Sequence, residues 1–267
     1  MTQTAQAEGR IVCEREGPVA RLVIDNPDRR NAIDLAMWRQ AMALLDQLAH
    51  DDAVRVLVVA GRGETAFASG ADISKFERER NTAEEVARYH EASAGAYRRL
   101  KGFPKPAVAS IGGFCIGGGL ALALCCDIRI CAEGSRFAVP AARLGLGYDI
   151  EGQRNLTEAV GAAVAADLLF SARQVDAAEA LALGLVNRVV PAAERAAIVA
   201  DYAAVIAANA PMTIALAKAC KLALTPSVRP DEELRLQEMV TACYASADYK
   251  EGRLAFKEKR APVFSGR

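Results

Sequence analysis

Three consecutive glycines, Gly117 to Gly119, are the residues of this sequence best suited to do chemistry. An apolar run that ends at Ile111 predicts a buried strand before them, and an alanine- and leucine-rich stretch to Asp127 predicts a helix after them. A ligand can approach closely where a helix begins without side chains, and there it meets unpaired backbone N–H groups at the positive end of the helix dipole. Such donors suit an oxygen that becomes negative during a reaction.

A second glycine-containing turn lies earlier in the chain, in the run from Phe67 to Ile73 that includes Gly70. Its backbone can supply an N–H group that faces one from the triple glycine. Two such donors directed at one oxygen form an oxyanion hole. The two turns together therefore predict an enzyme that stabilises a developing oxyanion.

The composition limits the class of partner. The chain has 267 residues and is 52% hydrophobic, which is enough to bury a large core. Its 33 basic and 33 acidic residues cancel, so neither nucleic acid nor an acidic membrane surface is expected as a partner. Charged residues interrupt each apolar stretch before it reaches the ~18 residues of a membrane span. The polar run Met1 to Glu8 is typical of a frayed tail and not of a signal peptide, so we expect a cytoplasmic protein.

Cysteines and histidines give weaker signals. The seven cysteines are odd in number, lie in apolar surroundings and show no C-x-x-C spacing, so we expect reduced, buried thiols and no metal site. Of the two histidines, His90 lies in a charged helical run with Arg88 and Glu91. A solvated position, or one on a lid, is the simplest interpretation of His90, and a catalytic role is the alternative.

Strands and helices must alternate to position the glycine turns, and the hydrophobic pattern predicts such an α/β fold. Strands are expected at residues 11–16, 19–24, 54–60, 107–111, 128–131, 136–139 and 186–190. Helices are expected at residues 34–50 and 82–101 and from the triple glycine to Asp127.

The last third of the chain differs in character. Residues 191–260 contain no strand-like run and predict several helices, broken at Pro211 and at Thr225-Pro226. No low-complexity linker precedes them, so we expect one continuous unit with an α/β core over residues 10–190 and a helical region over residues 191–267. The helical region is a candidate for subunit packing or for a cover over the active site.

Several sequence blocks occur in the order typical of one family. The blocks are Phe67 to Ile73, Lys105-Pro106, Gly117 to Gly119 with Cys126-Asp127, and Glu251-Gly252 with Phe256 to Arg260. Together they resemble the crotonase (enoyl-CoA hydratase/isomerase) superfamily, and the likeness extends from Arg10 to Phe264. The resemblance implies a spiral of repeated β-β-α units, with C-terminal helices that form trimers, often paired as hexamers.

The resemblance also implies a substrate, an acyl group carried as a coenzyme A thioester. No separate cofactor is expected, since coenzyme A enters as part of the substrate. In the family two backbone N–H groups hold the thioester oxygen, and their positions fall on Ala71 and Gly118. Positions that contact coenzyme A fall on Arg30, Ser69, Ala71, Asp72 and Ile73, and on Lys259, which the family directs at a phosphate in a neighbouring subunit. A merely solvated Lys259 is the alternative.

Two departures from the family pattern bear on the reaction. Hydratases of the family hold a water between two glutamates, one of which follows the triple glycine and one of which follows a proline after the next strand. These positions are Ala121 and Ala141 here. An alanine methyl cannot transfer a proton, so the two-glutamate hydration mechanism is not expected to operate as in those relatives.

Other acids follow in the segment from Leu144 to Gly152. Asp149 falls on a catalytic aspartate of the dienoyl-CoA isomerases, and aryl-CoA dehalogenases of the superfamily carry a nucleophilic aspartate in the same segment. Asp149 is therefore the first candidate for a general base or a nucleophile. Glu151 is the reserve acid and Tyr148 a candidate donor, while a solvated turn is the alternative interpretation of all three.

Three functions follow from these residues. The first is an acyl-CoA-processing enzyme of the enoyl-CoA hydratase/isomerase type, which stabilises a thioester enolate while Asp149 moves the proton. In the second, Asp149 attacks as a nucleophile in a dehalogenase or hydrolase acting on aryl- or acyl-CoA. The third is a protein that binds acyl-CoA but is catalytically silent.

Overall fold

The computed structural model of the chain describes residues 8–224 and 230–263. The polar tail predicted at the N-terminus lies outside these ranges except for Glu8, and so does the helix break predicted at Thr225-Pro226. Within the described residues, ten strands and ten α-helices alternate along the chain. The predicted α/β class is confirmed.

The elements begin with a hairpin and end with a run of helices. The strands are β1 (Arg10–Glu16), β2 (Val19–Asp25), β3 (Val56–Gly61), β4 (Ala66–Ala68), β5 (Ala107–Ile111), β6 (Phe114–Ile116), β7 (Ile128–Ala132), β8 (Arg136–Ala138), β9 (Val175–Asp176) and β10 (Arg188–Val190). The helices are α1 (Leu35–Ala49), α2 (Phe76–Glu79), α3 (Ala83–Lys101), α4 (Gly118–Cys125), α5 (Ile150–Ser171), α6 (Ala177–Ala182), α7 (Arg195–Ala208), α8 (Pro211–Leu224), α9 (Pro230–Ala245) and α10 (Ala247–Glu258).

Successive strands alternate between two sheets. One sheet has the order β1-β2-β3-β5-β7-β10 and the other has the order β4-β6-β8-β9. Each of the pairs β3-β4, β5-β6 and β7-β8 places one strand in each sheet before the chain enters a helix. Only the pairs β1-β2 and β8-β9 are antiparallel among the described strands. The predicted spiral of repeated β-β-α units is confirmed.

The main core lies between the strands and helices α1, α3 and α4. Its largest fully buried side chains include Trp38, Phe67, Phe103 and Phe137. Helix α3 begins with a capping box, in which Thr82 and Glu85 each accept a hydrogen bond from the other's backbone N–H group. The capping box and the apolar face of α3 fix the position of this helix, which lies over the glycine turns.

The predicted elements do not include α5, the longest helix. Glycines weaken the pattern that would reveal it, and at Gly161 the backbone is not helical, with φ +78° and ψ +161°. Helix α5 begins after Asp149, whose carboxylate accepts the N–H groups of Glu151 (2.9 Å) and Gly152 (3.3 Å). The segment expected as a turn is therefore the N-terminal cap of a long helix.

The described part of the C-terminal region is helical, as predicted, and presents apolar side chains to solvent. The exposed apolar side chains of α7 to α10 include Val205, Met212, Leu216, Leu234 and Phe256. No single helix of the described residues has the length and apolarity to cross a membrane. The segments Ala192–Ala208 and Pro211–Leu222 pass that test only as a pair, and they meet at 106°.

The expectation of buried thiols is correct for some of the cysteines and wrong for others. All seven are free, and Cys115, Cys125, Cys126 and Cys131 are buried, but Cys220 and Cys243 are exposed on α8 and α9. Burial raises the pKa of Cys126 to about 12, which leaves that thiol protonated and unreactive. Cys220 and Cys243 lie on helices whose apolar residues also face outward. The local composition around the two cysteines does not reveal this exposure.

Asp127, just after α4, joins the core to α8. Its carboxylate accepts the N–H of Ala107 at 2.8 Å and pairs with Lys218 at 2.7 Å and Lys221 at 2.8 Å. Burial by itself raises the pKa of Asp127, but the two lysines and the hydrogen bonds outweigh it and hold the pKa below its ordinary value of 3.8. The charged carboxylate therefore stabilises the folded chain.

We predict that Asp127→Asn lowers the free energy of unfolding by about 3 kcal/mol at neutral pH, because Lys218 is left buried without its counter-charge. Since the folded pKa is the lower one, this stabilisation is complete above the unfolded pKa near 4 and is lost as the pH falls through the folded value. Urea unfolding at a series of pH values should show the two proteins converging below about pH 4.

Glu77→Gln is the matched control, because the ion pair of Glu77 with Lys257 is largely exposed. We expect a change below about 0.5 kcal/mol there. A difference between wild type and Asp127→Asn that stayed constant down to pH 3 would contradict the role assigned to the Asp127 charge.

Candidate active site

Three strand-to-helix turns meet at one edge of the smaller sheet. Strands β4, β6 and β8 are parallel neighbours, so their carboxyl ends lie side by side. The chain leaves them into the Gly70-Ala71 turn, the triple glycine and the segment that leads to Asp149. Between these turns and α3 lies a cavity, which we call the inner cavity. Its walls include Ala71, Gly118 and Asp149.

The two glycine turns touch each other. A Cβ placed on Gly70 would lie 3.7 Å from the backbone nitrogen of Gly118, and Gly70 has φ +99°, a conformation that favours glycine. Gly119 has even less room, because a Cβ there would lie 2.3 Å from the carbonyl oxygen of Ala68 in β4. Glycine at these positions lets α4 begin directly against the first turn.

Both turns direct a free N–H group away from the sheet. At the first turn, the N–H of Ile33 donates to Gly70 O at 2.8 Å and the N–H of Asp72 donates to Ile33 O at 3.1 Å. This bridge leaves the Ala71 N–H on the opposite side, without a hydrogen bond in the described structure. Gly118 is the first residue of α4, and its N–H likewise has no acceptor among the described residues.

Two tyrosines hold the carbonyl groups next to these donors. The Tyr148 hydroxyl donates to Gly117 O and the Tyr97 hydroxyl donates to Gly118 O, each at 3.2 Å. Burial raises the pKa of both hydroxyls well above the ordinary tyrosine value. Both therefore remain protonated donors, and they orient the peptide groups on which the Gly118 N–H depends.

Asp149 and His90 form a pair in the wall of the inner cavity. One carboxylate oxygen of Asp149 caps α5, while the other, Oδ2, lies 3.6 Å from Nδ1 of His90. Both side chains are mostly buried, with 16% and 15% of their surfaces exposed. The His90 ring packs edge-on against Tyr244 at 4.8 Å, and its Nε2 is buried without a hydrogen-bond partner in the described structure. Asp149 is the only carboxylate among the described residues that line this cavity.

Comparisons with known proteins agree with this geometry. A family model described as enoyl-CoA hydratase/isomerase matches residues 14–267. The chain belongs to this family. It is 33% identical over 253 residues to the short-chain-enoyl-CoA hydratase of Clostridium acetobutylicum, across 94% of this chain and 95% of the relative.

Solved structures show the same fold for this family member. An enoyl-CoA hydratase/carnithine racemase from Magnetospirillum magneticum is 36% identical, with a TM-score of 0.78 over 98% of this chain and 97% of that one. An enoyl-CoA hydratase from Mycobacterium avium subsp. paratuberculosis K-10 is 26% identical, with a TM-score of 0.84 over 96% and 98%. The protein is an enzyme of the enoyl-CoA hydratase/isomerase type, which processes acyl-CoA thioesters.

The residues predicted to contact coenzyme A fall in two places in this family member. Arg30 and Ser69 lie together at the outer side of the first glycine turn, where the Ser69 N–H donates to Arg30 O at 3.1 Å and the Arg30 guanidinium lies over the Phe114 ring. Ile73 and Ser69 line the inner cavity, whereas Asp72 is buried and accepts hydrogen bonds from the backbone and hydroxyl of Ser74. Lys259 ends α10 with φ +55°, is exposed and does not line the cavity.

The three acid–base candidates also differ in position. Asp149 and Tyr148 line the inner cavity, but Glu151 does not. Glu151 pairs instead with Arg154 at 3.1 Å on the first turns of α5. The geometry gives Glu151 no support as an acid–base group.

The solvated position expected for His90 is wrong, because the side chain is mostly buried and lines the inner cavity, while the expected lid position stays a prediction. The sequence holds a signal for this placement. His90, Ser93 and Tyr97 follow at spacings of three and four residues, so they share one face of α3, and all three line the cavity. The many charges on the opposite face conceal this stripe in a residue-by-residue inspection.

Proposed function

We propose that the enzyme forms a thioester enolate in the inner cavity and uses Asp149 as its acid–base group. The observation that carries this proposal is the position of Asp149, whose Oδ2 faces the cavity beside His90 while its other oxygen is fixed by the start of α5. The thioester oxygen accepts the N–H groups of Ala71 and Gly118, which have no other acceptor in the described structure. Their preorganised dipoles lower the energy of the enolate.

The proton steps then balance as an isomerisation. Asp149 Oδ2 removes a proton from a carbon of the acyl chain, and the electron pair shifts toward the thioester oxygen held by Ala71 and Gly118. The protonated Asp149 returns the proton to another carbon, so the double bond moves and no co-reactant is consumed. His90 lies beside Oδ2 and keeps it directed at the acyl chain.

Hydration is disfavoured because Ala121 and Ala141 stand where the family's hydratases carry glutamates. Ala121 is fully buried, and the methyl group of Ala141 lines the inner cavity. Neither can activate a water. A single carboxylate suits a reaction in which one group both removes and returns the proton.

The nucleophilic alternative rests on the same Oδ2. A carboxylate beside a histidine can attack an aryl- or acyl-CoA and expel a halide or the coenzyme A thiolate, and the histidine can then activate the water that hydrolyses the ester or anhydride on Asp149. Mass spectrometry of the peptide that contains Asp149, after one turnover in heavy-oxygen water, separates the two routes. Label in Asp149 supports the nucleophile, and its absence supports proton transfer.

Coenzyme A binding and assembly belong to the same proposal. Arg30, Ser69 and Ile73 lie around the first glycine turn, next to the proposed donor Ala71. The exposed apolar side chains of the C-terminal helices, such as Met212 and Leu216, support a homotrimer or a hexamer built from two trimers. Lys259 would then act on the nucleotide bound by a neighbouring subunit.

We predict that Asp149→Asn lowers kcat at least ~10²-fold on whichever acyl-CoA ester wild type converts, because the general base is lost. Asparagine caps helices as well as aspartate does, so the melting temperature should change little. Turnover of a panel of short, long, branched and aromatic enoyl-CoA esters, with products identified by mass, measures the effect.

Glu151→Gln is the matched control and should retain activity. Unchanged turnover in Asp149→Asn would contradict the assignment, and tight binding by wild type without any turnover would indicate a silent binding protein.

We also predict that Gly118→Pro lowers kcat/KM by about 10²–10³-fold, because proline removes the N–H directed at the thioester oxygen. Proline is tolerated at the first position of a helix, where the N–H has no helical partner. Gly118→Ala is the matched control, since its Cβ meets the same Tyr97 hydroxyl at 3.1 Å but the N–H is kept. Equal losses in the two variants would show that crowding, and not the missing donor, is responsible.

A further inference from the structure

Arg80, at the end of α2, is a buried cation in the wall of the inner cavity. Only 6% of the residue is exposed. Its guanidinium carbon lies 3.5 Å from the centre of the Tyr89 ring and 4.5 Å from the centre of the Phe76 ring. The two rings pack against the guanidinium, and neither of them carries a negative charge to balance it.

No carboxylate of the described residues pairs with Arg80. Its Nε is buried without a hydrogen-bond partner in the same set of residues. The neighbouring Glu79 accepts the N–H of Leu35 at 3.1 Å instead. Cation–π contacts offset only part of the free energy that burying an ion costs. An anion bound at Arg80 would supply what is missing.

The walls of a neighbouring cavity carry further positively charged side chains. A second cavity, which we call the outer cavity, lies between α3, α9 and α10 and shares Arg80, His90 and Asp149 with the inner one. Arg98, Lys250 and Arg253 also line it, and none of them pairs with a carboxylate in the described structure.

The outer cavity also offers a neutral donor and few acids. The hydroxyl of Tyr249 lines it and is buried without a hydrogen-bond partner among residues 8–224 and 230–263. The acids in its described walls are Glu91 and Asp149, and Asp149 is occupied by the cap of α5 and by His90. The described walls of the outer cavity therefore hold four cationic side chains and two acidic ones.

We propose that the acyl group of the substrate ends in a carboxylate, which Arg80 binds at the junction of the two cavities. A guanidinium fork binds a carboxylate through two parallel hydrogen bonds, and the buried setting strengthens both of them. Arg80 is then a specificity residue, which selects dicarboxylic acids carried as mono-thioesters over methyl-ended acyl chains of equal length. This inference rests on the proposed action on acyl-CoA, because it supplies the thioester end of the same ligand.

The position of Arg80 agrees with a carboxylate remote from the thioester. A Cβ on Gly118 would lie 3.8 Å from the Trp38 ring, and the Trp38 Nε1–H donates to the Tyr89 hydroxyl at 2.8 Å. Arg80 stacks on the Tyr89 ring, so Trp38 and Tyr89 connect the Gly118 turn to the guanidinium. A carboxylate there would be held away from the reacting carbons.

Calorimetric binding of two series of saturated acyl-CoA thioesters tests the proposal. The series match in chain length, from short to long, and differ only in a terminal carboxylate or methyl group. At the length that fits, we expect wild type to bind the carboxylate-ended thioester at least about tenfold more tightly. Arg80→Met should abolish this preference and leave the affinity for the methyl-ended series unchanged within about threefold.

Two further variants distinguish a specific pair between Arg80 and the carboxylate from a general attraction by the surrounding positive charges. Arg80→Lys, which keeps the charge without the fork, should retain part of the preference, and it serves the test if Arg80→Met does not fold. Arg98→Met is the matched control on the exposed wall of α3 and should keep the full preference. An equal loss in Arg98→Met, or a preference that survives in Arg80→Met, would overturn the role of Arg80.

The wild-type measurement distinguishes this inference from the proposed function. If methyl-ended thioesters bind and a carboxylate adds nothing at any length, the proposed function survives and the anionic acyl terminus is wrong. The same result would follow if a carboxylate from a neighbouring subunit occupied Arg80. If neither series binds, the proposed function fails as well.

Discussion

The contact between Gly119 and the carbonyl group of Ala68 is the constraint on which the site depends. A Cβ at Gly119 would lie 2.3 Å from that oxygen, so α4 can begin where it does only because the residue is glycine. The same approach brings the Gly118 N–H beside the Gly70-Ala71 turn. Two donors from different β-β-α units therefore converge without any side chain between them. In the proposed function these donors form an oxyanion hole, and because the backbone fixes them, no reorganisation is needed when charge develops.

The third β-β-α unit supplies the carboxylate of Asp149, which is also positioned by the start of a helix. Asp149 is the residue at which a loop becomes α5, and one of its oxygens is bound by the first N–H groups of that helix. Forming the helix thus fixes the carboxylate, and the remaining oxygen has a defined direction, toward His90 and the inner cavity. Tyr97 and Tyr148 fix the peptide groups opposite to it. The groups to which we assign the reaction are consequently held by backbone structure, while the side chains around them are free to determine which acyl group fits.

The sequence predicts those features that leave a mark in residue type. Glycine is favoured where φ is positive and required where two backbones touch, so the types and spacing of Gly70 and Gly117 to Gly119 are enough to indicate a site. The spiral of units and the helical C-terminal region also follow from the order of strands and helices and from the family resemblance. Features that depend on distant elements could not be predicted. His90 faces the cavity only because α3 crosses it, and Arg80 is notable only because no carboxylate of the described chain forms an ion pair with it. Helix α5 could not be predicted because its glycines weaken the helical pattern of the sequence.

Deuterium exchange at C2 of a saturated acyl-CoA thioester is the most direct test of the central claim, because it reports enolate formation without requiring the natural substrate. In heavy water, wild type should incorporate deuterium at C2, as followed by NMR. Asp149→Asn should lose at least about a hundredfold in exchange rate, while Glu151→Gln exchanges as wild type does. Exchange by Asp149→Asn at the wild-type rate, or no exchange above the buffer rate with any bound thioester, would contradict an enolate formed by Asp149 and held by Ala71 and Gly118.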